Sequence, residues 1–207
     1  MCSSDLGTEA LHGLHAGNQG SLLFGAHLGS FEVLRSLARD QPRLKVAMAM
    51  YPANARQIND TLAAINPQAM QDIIALGKVD AILTIHSRLE EGAMVGILAD
   101  RSSGPDQYLT LPFLGAPARF PTGPFRMAAM LRHPVYFMAG LYRGGNRYDV
   151  HFELLADFST AERRGRDELV RETLERYVAT LERHCLSAPY NWFNFYDFWD
   201  LDRRDQA

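Results

Sequence analysis

The chain predicts an α/β fold: one domain with a mostly parallel central sheet flanked by helices. Three observations carry this expectation. Short apolar runs of strand type, at residues 21–27, 44–50 and 94–99, are separated by stretches of helical periodicity. The chain has 207 residues, 47% of them hydrophobic, enough to bury one sizeable core. Two of the runs end on chemically active residues, His27 and the pair Asp100-Arg101, as strands do where the carboxyl edge of a parallel sheet gathers a site.

Residues 8–19 read as the end of a helix and a glycine-containing loop leading into the first strand. Gly29 and Ser30 then turn the chain into a helix from Ser30 to about Arg39, with Ser30 placed to cap it and Val33, Leu34, Leu37 and Ala38 on its apolar face. The second strand-like run, 44–50, is followed by helical patterns at 53–64 and 68–76. Residues 78–91 are amphipathic, and Gly92 suits a helix stop. The wholly apolar run 94–99 reads as a third strand, delivering Asp100 and Arg101 to a polar loop at 102–107.

The run 108–114 leads into a passage punctuated by Gly and Pro, 115–124, and Pro124 fits the first turn of a helix at 125–131. Runs 134–142 and 148–154 joined across Gly144-Gly145-Asn146 predict a hairpin. The stretch 161–186 places Leu169, Val170, Leu174, Tyr177, Val178 and Leu181 on one helical stripe. In the aromatic end, 191–199, Trp192, Phe195, Tyr196 and Trp199 would share a helical face, with Phe193 and Phe198 off it. Such rings either plug the base of the domain or meet a membrane interface or acyl chain. On this reading residues 1–20 are a partial N-terminal segment, 21–199 the domain, and 200–207 a polar tail.

Composition excludes several classes. The net charge of −3, with Lys and Arg dispersed, gives no nucleic-acid footprint. Cys2 and Cys185 form no metal-ligand or CxxC pattern, and His12, His15, His133, His151 and His184 lack ligand spacing, so no metal is expected. No window reaches the ~18–20 uninterrupted apolar residues of a membrane span, because Arg132, His133 and Pro134 break the run 127–141. Residues 1–6 have neither the basic start nor the apolar centre of a signal peptide. Cys2-Ser3-Ser4-Asp5-Leu6 matches the translation of a common sequencing-adapter end, so the expectation is an assembly scar with the natural start further upstream.

The junction Gly25-Ala26-His27-Leu28-Gly29-Ser30-Phe31-Glu32 has the form of a site. A histidine at a strand end can take a proton near neutral pH, and an acid one helical turn beyond can hold its tautomer. The spacing alone is weak: with 7 His and 24 acidic residues in the chain, a His followed five positions later by an acid should arise by chance about 0.8 times. His86 and Glu91 have the same spacing, but on a helical pattern with Val79, Ile82, Leu83 and Leu89, where a partly buried packing histidine is the expectation. The strand, glycine, serine and helix around His27 set it apart.

These residues, with Asp100-Arg101 after the third strand, the passage Leu111-Pro112-Phe113-Leu114-Gly115-Ala116-Pro117 and Thr122-Gly123 opening a helix, resemble the bacterial lipid A biosynthesis acyltransferases. These are the late acyltransferases of the lysophospholipid acyltransferase superfamily. The resemblance spans roughly residues 21–199 and implies a glycerolphosphate-acyltransferase-like fold. Arg101 and the tail 192–199 depart from the usual family pattern and point to a separate branch.

The resemblance implies transfer of an acyl group from a carrier thioester, acyl carrier protein or coenzyme A, to a hydroxyl of a lipid or glycolipid, with no further cofactor and no acyl-enzyme. The residues agree: there is no GxSxG elbow, and neither Cys has a neighbouring His. His27 would be the general base and Glu32 its orienting acid. The N–H groups of Gly29 and Ser30, with the Arg101 side chain, are candidate oxyanion donors; Arg101 could equally pair with Asp100 or Asp106 in the loop. Asp100 is a candidate substrate contact. Thr122 and Gly123 could bind a phosphate or simply start their helix. Arg119 and Arg126 could meet a carrier or acceptor anion, or face solvent.

The family also implies work at the cytoplasmic face of a bacterial inner membrane, peripheral in this chain, with an anchoring helix upstream. A hydrolase using the same His-Glu pair and a non-catalytic lipid-binding module are the rival readings.

Overall fold

The structure is a computed structural model that describes residues 19–31, 33, 45–51, 73–77, 80–101, 106–162 and 165–199. In chain order its elements are β1 (Ser21–Gly25), β2 (Val46–Met50), β3 (Ile73–Ala75), α1 (Ala81–Glu90), β4 (Met94–Leu98), β5 (Tyr108–Phe113), β6 (Ala116–Pro121), α2 (Gly123–Leu131), β7 (Pro134–Tyr142), β8 (Tyr148–Asp157) and α3 (Arg166–Ser187). A 3₁₀ turn, Pro189–Asn191, follows α3.

Six strands form one sheet in the order β3-β2-β4-β1-β7-β8. All neighbours as far as β7 are parallel, and β8 closes the edge antiparallel. This is the mostly parallel α/β sheet that the alternation of apolar runs and helical periods predicts.

β1 lies at the centre because its sequence can be buried on both faces. Leu22, Leu23 and Phe24 are wholly buried. On one face Phe24 meets Phe125 of α2 edge-on at 5.0 Å between ring centres, and Tyr177 of α3 meets Phe125 at 5.4 Å. On the other face Leu23 packs with Val46, Met94 and Met138, and with Phe31 beyond the end of the strand. Alternation along a pleated strand thus assigns Phe24 to the helical layer and Leu23 to the opposite one. Truncating a wholly buried phenylalanine such as Phe24 to alanine costs about 3–5 kcal/mol, so this contact is a large part of the fold's stability.

Several elements differ from expectation. Within the predicted helix 68–76, Ile73–Ala75 is strand β3, paired with β2 and ended by Gly77 at φ 89°. Three apolar residues are too few for periodicity to separate strand from helix. In the Gly/Pro passage, Ala116–Pro121 is strand β6, which turns back on β5 through Leu114 (φ 51°) and Gly115 (φ 86°). Its prolines are tolerated because, among the described residues, the ribbon has two strands and each keeps a free edge.

The aromatic end is not a helix. After the 3₁₀ turn Trp192 bridges to Leu28, and Phe198 and Trp199 form a turn. Trp192, Phe198 and Trp199 gather around Phe113, at 5.5, 5.6 and 6.5 Å between ring centres. Trp199 Nε1–H also donates to the Phe113 carbonyl at 3.1 Å. Part of the tail is therefore the plug that one reading of the sequence expected.

His86 stands on the outer face of α1, 51% exposed, while Ala81, Ile85 and Leu89 make the buried stripe, so it is a surface rather than a packing histidine. The helical patterns at 53–64 and 68–72, and the first helix beyond Val33, lie outside the described residues.

Candidate active site

The parallel register of β1 and β4 places Gly25 beside Leu98. Two residues further on, His27 and Asp100 leave the sheet together, although 73 positions separate them. His27 Nδ1 lies 2.9 Å from Asp100 Oδ1 and 3.1 Å from Oδ2, and the backbone N–H of His27 donates to Oδ2 at 3.2 Å. Asp100 is buried, 2% exposed, whereas the His27 side chain is 33% exposed. Removing a carboxylate from water is costly unless hydrogen bonds replace the lost hydration, and His27 supplies them. Arg101 completes the group, with Nε 2.9 Å from His27 Nδ1 and 3.7 Å from Asp100 Oδ2.

The backbone around this group is held from three sides. The buried Tyr177 hydroxyl donates to the Gly25 carbonyl at 2.7 Å, pegging the end of β1 to α3. Burial, then the negative charge of Asp100, keeps this phenol well above its ordinary pKa, so it stays a donor. The tail forms the second side, where Phe193 N–H donates to the His27 carbonyl at 2.7 Å and Arg101 Nη2 donates to the Phe193 carbonyl at 3.3 Å. On the third side Gly29 presses against β7. It adopts φ 70°, and a Cβ there would sit 2.1 Å from the Gly140 carbonyl oxygen.

His27 and Arg101 open on a cavity of about 750 Å³ at the carboxyl edge of the sheet. Gly29, Ser30 and Phe31 line one side, the ends of β2 and β4 (Met48, Met50, Ile97, Leu98) the floor, and Phe193, Phe195 and Tyr196 the tail side. The lining is largely apolar with a few polar groups at one end, the form a small-molecule or lipid site takes. The glycine of β4 shapes the floor: the Phe31 ring covers Gly96 so closely that a Cβ would fall 2.0 Å from it.

Of the residues singled out in the sequence, the structure brings together His27, Asp100, Arg101, Gly29 and Ser30. The N–H groups expected to face an oxyanion are already engaged: Gly29 N–H donates to the Asn191 carbonyl and Ser30 N–H to that of Gly140, both at 2.8 Å. Both Asp100 oxygens face His27.

Arg119, Thr122, Gly123 and Arg126 are not among the residues lining this cavity. Arg119 lies over the Tyr108 ring at 4.4 Å. Arg126 Nη1 donates to Gln107 at 2.7 Å. The Gly123 N–H at the start of α2 donates to Asp106 Oδ1 at 3.0 Å, so a carboxylate of the chain already holds the place expected for a phosphate. Glu32 lies outside the described residues. What the sequence did not reveal is the direct pairing of His27 with Asp100; its signal was the two strand ends, and it needed only the neighbour relation of the strands.

A buried carboxylate, an imidazole and a guanidinium thus stand together at the mouth of a largely apolar cavity in an α/β protein. The family model for bacterial lipid A biosynthesis acyltransferase matches residues 4–199, and the chain belongs to that family, whose activity is acyl transfer to a lipid acceptor. No curated protein matches the chain. Among the described residues no helix is long and apolar enough to cross a membrane.

Proposed function

We propose that the chain transfers a fatty acyl group from a carrier thioester to a hydroxyl of a lipid or glycolipid, with His27 as general base. The observation that carries this is His27 standing on the lip of the apolar cavity with a buried carboxylate behind its ring. His27 Nε2 takes the proton of the acceptor hydroxyl as its oxygen attacks the thioester carbon. The tetrahedral oxyanion collapses, the carbon–sulfur bond breaks, and the imidazolium returns the proton to the leaving thiolate. The products are an ester and a free carrier thiol. Arg101 supplies the oxyanion donor from the cavity wall, a contact of the kind whose loss costs about 10²–10³ in rate.

Glu32 is the acid of the His-x4-Glu motif and stabilises the imidazolium. The donor is acyl carrier protein or coenzyme A, and no metal or organic cofactor takes part. The acceptor reaches the cavity from the cytoplasmic face of a bacterial inner membrane, past Phe193 and Phe195 on the cavity rim.

The test is incubation of the protein with an acyl-carrier thioester and a lipid extract. Formation of acylated lipid that His27→Ala abolishes, and that Glu32→Gln slows, supports the proposal. Free fatty acid as the sole product would make the protein a hydrolase, and an unconsumed thioester despite tight lipid binding would make it a binding module.

A further inference from the structure

We propose that Asp100 is the positioning acid of His27, holding the imidazole as the Nδ1–H tautomer so that Nε2 is the base. The kinetic part of this inference rests on the acyl-transfer reading above; the tautomer does not. One carboxylate contacts His27 three times, through Oδ1 and Oδ2 to Nδ1 and through Oδ2 to the backbone N–H. Main chain and ring are thereby fixed by the same group, so the orientation of the ring follows from the register of two neighbouring strands.

A second group contests the same nitrogen. Arg101 Nε lies 2.9 Å from Nδ1 and can donate only if that nitrogen carries no proton. Nδ1 therefore either donates to Asp100 or accepts from Arg101, and burial decides between them. Deprived of the ring N–H, Asp100 at 2% exposure would keep, among the described residues, only the His27 backbone N–H, with Arg101 Nε 3.7 Å away. Arg101 is 28% exposed and has other partners: the Phe193 carbonyl at 3.3 Å and the Tyr196 ring at 5.1 Å. An unmet buried acceptor costs more than an unmet donor with access to water, so the proton resides on Nδ1. Arg101 then faces an N–H group and is released toward the cavity it lines, where a developing oxyanion needs it.

The experiment is ¹⁵N-histidine NMR on the full chain, with His27 assigned by the loss of its signals in His27→Gln, at a pH where its ring is neutral. The expected spectrum shows a protonated Nδ1 and an unprotonated Nε2. Asp100→Asn, whose amide can donate to Nδ1, should reverse the pair and lower kcat by about 10³–10⁴ with KM changed less than about threefold. Arg101→Gln should leave the tautomer as it is.

A wild-type spectrum with the proton on Nε2, or a switch to Nδ1–H only on replacing Arg101, overturns the inference even if Asp100→Asn fails to fold. The expected tautomer in a protein that forms no ester would instead sink the acyl-transfer reading and leave the role of Asp100 standing.

Discussion

Cys185 is kept in its thiol form chiefly by burial. Its thiol lies on the inner face of α3, and burial, then the negative charges of Asp100 and Glu182, push it up to about 12. A thiol is nucleophilic only as the thiolate, and at pH 8 this one is protonated in all but a minute fraction of molecules. Iodoacetamide at that pH should leave Cys185 of the folded protein unmodified over hours and label it within minutes in 6 M guanidinium, as mass spectrometry would show. Rapid labelling under native conditions would mean that α3 does not pack as described. A buried, protonated thiol of this kind is a poor covalent acyl acceptor.

Among the elements, the turn after β1 is tightly constrained. Gly29 needs a positive φ and has no room for a Cβ against the Gly140 carbonyl, which also accepts the Ser30 N–H. Gly29→Ala should therefore destabilise the protein by about 2–4 kcal/mol, read as a lowered urea midpoint with an unchanged slope. A stability within 0.5 kcal/mol of the parent would show that the turn can move away from β7.

Much of this level was legible in the sequence. β1 and β4 were visible because each is an apolar run ended abruptly by a residue with another task, and α3 because its stripe of Val170, Leu174, Tyr177, Val178 and Leu181 is long enough for a period to be certain. β3 and β6 were not: three residues carry no period, and the prolines of β6 read as breakers until a two-stranded ribbon gives them free edges. The aromatic tail misled because its spacing matches a helix by accident, whereas its packing is set by Phe113. In the site, His27 and Asp100 were both recognised as strand ends. Their partnership is long-range and follows from strand order, which no local pattern contains.

For the molecule as a whole, the sheet has a working edge where exposed aromatic rings collect. Phe195 is 89% exposed and Tyr190 97%, while Phe193 and Phe195 also line the cavity. Rings that stand in water beside a lipid-sized cavity suit the interface of a bilayer. The double variant Tyr190→Ala/Phe195→Ala should fold normally and lose most of its flotation with anionic phospholipid vesicles. Unchanged flotation would place the membrane contact elsewhere.

The clasp between the tail and the turn after β1 has a temporal consequence. Residues 21–157 hold all six strands of the sheet, but the hydrogen bond from Phe193 to His27 can form only once residue 193 has emerged from the ribosome. A nascent chain that holds His27 and Asp100 thus lacks the cavity wall formed by Phe193, Phe195 and Tyr196 until those residues emerge.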